Sequence, residues 1–136
     1  MAKKILVIDD ESKIRDSLEK LLGGQGYQVF TAADGEAGLA QVVEARPDLV
    51  ILDVMMPGRN GFEICKDLKT DPRYHFFSKI PVLMLTVYPS DGTAEQTHAA
   101  KLHLPLSEGM TMLAEDYLQK PFDNEELLNR VRKLLK

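Results

Sequence analysis

The chain has 136 residues, 44% of them hydrophobic and 28% charged, which is the composition of an ordinary globular protein. This length is that of one domain, which we expect to span residues 1–136. The formal net charge of −4 and the scattered basic residues argue against a nucleic-acid surface, which needs a basic stripe. A single cysteine, Cys65, excludes an internal disulfide, and no apolar run resembles a signal peptide or a membrane span. We therefore expect a cytoplasmic protein without membrane association.

The first part of the chain alternates short apolar runs with amphipathic ones. Ile5–Ile8 is brief, continuous and rich in β-branched residues, which predicts a buried strand. Apolar residues then recur at helical spacing until Gly23–Gly24 supplies a helix stop. Tyr27–Ala32 predicts a second strand, and Asp34–Gly35 opens a second helix that ends before Pro47.

The same alternation continues through the middle of the chain. Leu49–Leu52 is another continuous apolar strand, and the helix that follows it is closed by Asp71–Pro72. Val82–Leu85 predicts a fourth strand and Tyr117–Gln119 a short fifth one.

Two further segments complete the chain. Within Pro89–Ala114 the pattern is unclear, although Thr93–Leu104 has the character of a helix that Pro105 would end. The last helix begins at Asp123, whose side chain can cap it, and Glu126 three residues later predicts a capping box.

Strands that alternate with helices predict a parallel sheet covered on both faces. We expect a flavodoxin-like, doubly wound α/β fold with five parallel strands in the order 2-1-3-4-5. In this order the crevice at the carboxyl ends of the strands lies between the first and third strands.

Polar residues gather at the predicted carboxyl ends of these strands. Asp9 and Asp10 follow the first strand, Asp53 the third, Thr86 the fourth and Lys120 the fifth. An acid after a strand is usually only a helix cap. An adjacent pair of acids opposite a third one makes that interpretation weaker here.

Three carboxylates need compensation to share one crevice. Two charges about 4 Å apart repel by roughly 4 kcal/mol at an effective dielectric constant near 20. The three acids and Lys120 sum to −2, which one divalent cation neutralises, and Mg²⁺ suits a site that also holds phosphate oxygens. Since the Thr86 hydroxyl and the Lys120 ammonium are natural partners for a phosphoryl oxygen, the set indicates phosphoryl transfer to a carboxylate.

The chain resembles the response-regulator receiver domain, the phosphate-accepting half of two-component signalling, as in chemotaxis receivers. The resemblance covers nearly the whole sequence and rests on four motifs in order, Ile5–Glu11, Asp53–Gly61, Met84–Thr86 and Asp116–Phe122. The predicted strand order is one already known for such domains.

The resemblance implies a role for each acid. Asp53 would accept the phosphoryl group. Asp10 would bind Mg²⁺ directly and Asp9 largely through water, and Asp53 and the backbone carbonyl of Met55 would complete the protein ligands.

The resemblance also implies the switch and the partners. Lys120 would hold one phosphoryl oxygen and Thr86 another after a small inward shift, while Tyr117 would change rotamer with Thr86. The Lys120–Pro121 bond would be cis. The donor would be a phosphohistidine on a sensor histidine kinase or a phosphotransfer protein. The domain would catalyse only its own phosphorylation and dephosphorylation, and would switch an output face for an unidentified target or for a phosphorylation-dependent dimer.

One spacing departs from the family. Thr86 and Lys120 stand 34 positions apart (120 minus 86), which is roughly a dozen more than a receiver needs. The surplus falls near the fourth helix of the family fold. Either Leu102–Met112 rebuilds the output face, which would change partner choice or dimer geometry, or it is a longer surface loop without consequence.

Three other functions compete with this interpretation. A haloacid-dehalogenase-like phosphatase also uses an aspartate nucleophile and Mg²⁺, but it carries a second acid two residues later, where this chain has Met55. A nucleotide- or flavin-binding module would need a glycine-rich motif after the first strand, which the sequence lacks. A degenerate receiver that acts only by protein contact would not need the complete set of acids, threonine and lysine.

Overall fold

The computed structural model of the chain describes residues 2–87 and 113–136. Its five strands are all parallel and are arranged in the order β2-β1-β3-β4-β5, which confirms the predicted flavodoxin-like fold. The strands are β1 (Lys4–Ile8), β2 (Gln28–Ala32), β3 (Leu49–Asp53), β4 (Val82–Val87) and β5 (Asp116–Lys120). Four of them exceed the predicted ranges by one or two residues, whereas β2 begins at Gln28 and not at Tyr27.

Helices connect the strands. They are α1 (Ser12–Gly23), α2 (Gly35–Ala45), α3 (Gly61–Thr70) and the C-terminal helix (Asn124–Leu134). The sequence did not predict a 3₁₀ helix, Pro72–Phe77, which follows α3 directly. It forms because proline favours the first helical position and the Asp71 carboxylate accepts a hydrogen bond from the Arg73 N–H at 2.9 Å.

The helix caps differ in part from the prediction. Asp34 caps α2 as expected, and its carboxylate accepts a hydrogen bond from the Ala37 N–H. Asp123 caps the C-terminal helix through the Glu125 N–H, but the predicted capping box there is wrong. The Glu126 carboxylate is instead paired with Arg130 at 3.0 Å, one helical turn later.

The sheet separates two apolar cores, one under α2 and α3 and the other under α1 and the C-terminal helix. In β1, Leu6 and Ile8 face the first core, whereas Ile5 and Val7 face the second. Successive side chains of a strand point to opposite faces, so a strand covered on both sides must be apolar throughout. This is why the predicted strands are continuous apolar runs.

Several predictions lie outside the described residues. They are the helix over Thr93–Leu104, its end at Pro105, and the alternative roles of Leu102–Met112. Among the described residues, no helix is both long enough and apolar enough to cross a membrane.

Candidate functional site

The carboxyl edge of the sheet carries all of the buried polar or charged residues found within 2–87 and 113–136. Asp9 directly follows β1, Asp53 ends β3, Thr86 lies in β4, and Lys120 ends β5. The structure therefore brings together the residues that the sequence placed at separate strand ends. Asp10 lies beside them and is exposed to solvent.

Three carboxylates form one cluster at this edge. Oxygen atoms of Asp9, Asp10 and Asp53 lie within 4.8 Å of one another. Oxygens on opposite sides of a Mg²⁺ ion are about 4.2 Å apart, because each lies about 2.1 Å from the metal. The cluster therefore fits a small hard cation after minor side-chain rotation, with Asp10 on the solvent side.

Lys120 supplies the positive charge of the site. Its Nζ lies 2.9 Å from Asp9 Oδ2 and 3.3 Å from Asp53 Oδ1. It also lies 3.6 Å from Glu11 Oε1, a carboxylate that our sequence analysis did not include in the site. The Glu11 side chain is largely exposed, so this contact is weaker than the two buried ones. One ammonium is thus shared among several carboxylates, and the site keeps an excess of negative charge.

This excess charge alters the acidity of the site. Burial raises the pKa of Asp53 to about 7, and the charge of Asp9 adds to this effect, against the opposing influence of Lys120 and of the Met55 N–H. Burial acts to lower the pKa of Lys120, but the hydrogen bond to Asp9 and the charges of Asp53 and Asp9 outweigh it and raise that pKa. Lys120 is therefore a permanent cation, whereas ionisation of Asp53 is costly.

Local backbone interactions hold the acids in place. Asp9 Oδ1 accepts a hydrogen bond from the Glu11 N–H at 2.9 Å, and Arg15 donates to the Asp9 carbonyl at 2.8 Å. Asp53 Oδ1 accepts one from the Met55 N–H at 3.3 Å. Gly61, at the start of α3, packs so closely on the end of β3 that a Cβ there would overlap the Asp53 carbonyl oxygen. The two turns that carry the acids are therefore closely constrained.

Thr86 and Tyr117 lie on the neighbouring strands. Leu85 pairs with Asp53 in the sheet, so Thr86 lies just beyond the phosphoacceptor candidate on the next strand. Thr86 is buried, and Tyr117 is half-buried and packs against the core under α2 and α3. The Lys120–Pro121 peptide is cis, as the resemblance implied.

The structure also assigns places to residues with competing interpretations. Met56 is buried, but Met55 is 41% exposed, so packing does not account for Met55. Cys65 is buried in the core under α2 and α3, and burial raises the pKa of its thiol to about 12. It is an unreactive core residue, as the sequence predicted.

Sequence reasoning missed the residues that organise the loop between β3 and α3. Asn60 and Glu63 form a reciprocal capping box at the start of α3, a pattern that their three-residue spacing made visible. Arg59 forms ion pairs with Glu36 and Asp67, and this pattern had no sequence signal because its partners depend on the path of the loop.

The fold and this edge of the sheet define a class: a flavodoxin-like α/β module with an acid cluster and a buried lysine at the strand ends. Comparison with known proteins agrees. The family model for the response regulator receiver domain matches residues 5–132.

Solved structures of similar proteins cover nearly the whole chain. Chemotaxis protein CheY4 of Vibrio cholerae is 35% identical, with a TM-score of 0.75 over 99% of this chain and 100% of that chain. A putative response regulator from Chloroflexus aurantiacus is 34% identical, with a TM-score of 0.76 over 99% and 98% of the two chains. Response regulator TrrA of Thermotoga maritima, solved with Mg²⁺–BeF, is 32% identical, with a TM-score of 0.74 over 98% and 99%.

This chain belongs to the response regulator receiver domain family. Members of the family are signalling modules of two-component systems, not metabolic enzymes. They interact with histidine kinases or phosphotransfer proteins.

Proposed function

We propose that this protein is a Mg²⁺-dependent phosphoryl acceptor in two-component signalling, and that Asp53 carries the phosphoryl group. The convergence of three carboxylates and one lysine at a single edge of the sheet is the observation that carries this proposal. We further propose that residues 1–136 form one receiver domain that works in the cytoplasm.

Asp9, Asp10, Asp53 and the backbone carbonyl of Met55 would hold the cation. Their chemistry supports Mg²⁺, which favours a few carboxylate oxygens, retains water molecules and binds phosphate oxygens. When bound, the ion would neutralise the acid cluster and the charge of the transferring group. The Mg²⁺–BeF found in the TrrA structure supports the same cation for this chain.

Asp53 would act as the nucleophile. One of its carboxylate oxygens forms a bond to phosphorus, while the bond from phosphorus to the donor imidazole nitrogen breaks and the electron pair leaves with that nitrogen. In the reverse branch, a water oxygen attacks the same phosphorus, and the Asp53 carboxylate leaves unchanged. Each step conserves the phosphoryl group, so the domain would catalyse only its own phosphorylation and dephosphorylation.

The neighbouring residues would stabilise and report the phosphorylated state. Lys120 already lies 3.3 Å from Asp53 Oδ1, a position from which its ammonium can pair with a phosphoryl oxygen. The Thr86 hydroxyl would bind a second oxygen, and the half-buried Tyr117 would change rotamer in response. The donor would be a phosphohistidine of a sensor histidine kinase or a phosphotransfer protein, and a change of the output face would follow, with dimerisation as one outcome.

Labelling with a small acyl phosphate tests this proposal. In the presence of Mg²⁺, intact-protein mass spectrometry is expected to show one added phosphoryl group that survives acid and is lost in base. Asp53→Asn is expected to eliminate the label, because an amide cannot act as the nucleophile. Chelation of the metal should abolish it in the wild-type protein.

The matched control is Asp34→Asn, the same chemical change at an exposed helix cap. This variant is expected to be labelled like the wild type, since asparagine is an equally good cap. A label of unchanged stoichiometry in Asp53→Asn would refute the assignment. Hydrolysis of a generic phosphate ester, measured in the same samples, would support a phosphatase instead.

A further inference from the structure

The loop between β3 and α3, residues 54–60, lies directly beside the acid cluster and carries Met55. Its two ends are tied to the sheet. The Val54 N–H donates a hydrogen bond to the Leu85 carbonyl at 3.0 Å, and the Gly61 N–H donates one to the Val54 carbonyl at 2.9 Å. Its apex is exposed, and Gly58 there has φ +78°, a left-handed conformation that favours glycine.

Arg59, next to this apex, connects the loop to two helices. Its Nη1 donates to Glu36 Oε1 in the first turn of α2 at 3.1 Å, and its Nη2 donates to Asp67 Oδ2 in α3 at 2.5 Å. The same Nη2 lies 3.5 Å from the Glu63 carbonyl. A single guanidinium thus spans the loop, α2 and α3.

The two ion pairs differ in their exposure to solvent. The Asp67 side chain is 23% exposed and the Glu36 side chain 73% exposed. Because water screens exposed pairs, the contact with Asp67 is the stronger of the two. The planar guanidinium can hold both carboxylates at once in a fixed orientation, whereas the ammonium of lysine is a point charge without that geometry.

We propose that Arg59 is a positioning residue, which holds the β3–α3 loop in its metal-binding conformation and thereby sets the Mg²⁺ affinity of the acid cluster. This inference rests on the proposed function, since it takes Met55 on this loop as a metal ligand. A loop that is held in place before the metal arrives loses less conformational freedom on binding, so the site binds more tightly.

The sign of the effect separates this role from simple electrostatics. Removal of a positive charge near the cluster should strengthen Mg²⁺ binding through Coulomb attraction. Loss of a positioning contact should weaken it, because the loop must then be ordered at the expense of binding. Arg73, an exposed arginine whose carboxylate partner is Asp71 on the neighbouring 3₁₀ helix segment, provides the charge-matched control.

Isothermal titration calorimetry with Mg²⁺ alone tests the proposal on the full chain. Arg59→Met is expected to weaken Mg²⁺ binding about 5- to 10-fold, near the lower end of the effect of outer residues at metal sites. Arg73→Met is expected to stay within about twofold of the wild type. Asp67→Asn should weaken binding more than Glu36→Gln does, and Arg59→Lys should restore part of the loss.

Urea unfolding of each variant identifies a purely structural role. Such a role would lower the unfolding midpoint of Arg59→Met and leave the Mg²⁺ affinity of the folded protein unchanged. That result, or tighter binding, would overturn the proposal. If Arg59→Met does not fold, Asp67→Asn and Arg59→Lys decide instead, and affinities equal to that of the wild type would exclude the role.

The outcomes for this inference and for the proposed function are distinguishable. Normal labelling of Asp53 together with an unchanged Mg²⁺ affinity in Arg59→Met would reject only the positioning role. Absence of labelling on wild-type Asp53 would reject the phosphoacceptor assignment, while the Mg²⁺ affinities would still report on Arg59.

Discussion

The two faces of the sheet and its carboxyl edge are built on opposite principles. Each face is covered by helices, and its buried residues are apolar throughout the described part of the chain. The carboxyl edge instead buries Asp9, Asp53, Thr86 and Lys120 within a few ångströms of the same strands. The faces gain stability from burial, whereas the edge carries buried charges that one lysine only partly compensates.

This difference shows how the fold separates stability from function. Rigid apolar strands hold their last residues in fixed positions, so that acids with a mutual repulsion remain close together. A site of this kind is expected to cost stability, and the protein tolerates that cost because the cores supply the surplus. The three predictions below test this separation, in order of decreasing effect.

The largest effect is expected for Asp53→Asn in the absence of divalent cations. The pKa of Asp53 is about 7 in the folded protein and near 3.8 when unfolded, so the acid is protonated in both states below pH 4. As pH rises from 4 to above 7, the folded state loses up to about 4 kcal/mol relative to the unfolded state. Urea unfolding should therefore show that Asp53→Asn equals the wild type near pH 4 and exceeds its stability by about that amount at pH 8.

Two controls accompany this measurement. Asp34→Asn, at an exposed cap, should show a stability difference that does not vary with pH. Saturating Mg²⁺ should stabilise the wild type and narrow the gap to Asp53→Asn, since the ion binds only the folded state. A stability difference that is constant between pH 4 and pH 8 would contradict the electrostatic explanation.

A somewhat smaller effect of opposite sign is expected in the core. Leu83 is fully buried in β4, on the face under α1 and the C-terminal helix. Leu83→Ala should lower the free energy of unfolding by about 3 kcal/mol, because it removes buried methyl groups and leaves a cavity. The loss should be the same at pH 5 and pH 8 and with or without Mg²⁺. Val43→Ala, at a half-exposed position of α2, should change the stability by less than about 0.5 kcal/mol.

The smallest effect is expected at the boundary between the two regions. Asn60 caps α3 and ends the loop beside the acid cluster. Asn60→Ala should lower stability by about 1 kcal/mol, because the Glu63 N–H loses its partner. Asn129→Ala, inside the C-terminal helix, should be neutral or slightly stabilising, since alanine is the better helix former. Thermal unfolding of both variants distinguishes a lost cap from a general effect of the substitution.

Much of the fold was predictable because its signals are local. The continuous apolar runs such as Leu49–Leu52 predicted buried strands, and right-handed crossovers then limit the possible strand orders. The 3₁₀ helix Pro72–Phe77 was missed, because proline was interpreted as the end of one helix and not as the start of another. The capping box was expected at Asp123 and occurs at Asn60, since Arg130 competes for Glu126 in the C-terminal helix.

The candidate site was predictable to the same extent. Asp9, Asp10, Asp53, Thr86 and Lys120 were identified because each lies at the end of a predicted strand, and the topology brings strand ends together. Glu11 and Arg59 were not identified. Their contacts run between loops and helices, where small changes of the backbone path decide which side chains meet.

The sequence by itself determined the strand order and the residues that gather at the carboxyl edge, because hydrophobic periodicity and the handedness of crossovers are local or nearly local properties. Only the tertiary structure decided how one ammonium is shared between Asp9 and Asp53, how deeply Asp53 is buried, and which helices Arg59 connects. These properties depend on separations of a few ångströms and on the exclusion of water, which no spacing along the chain encodes.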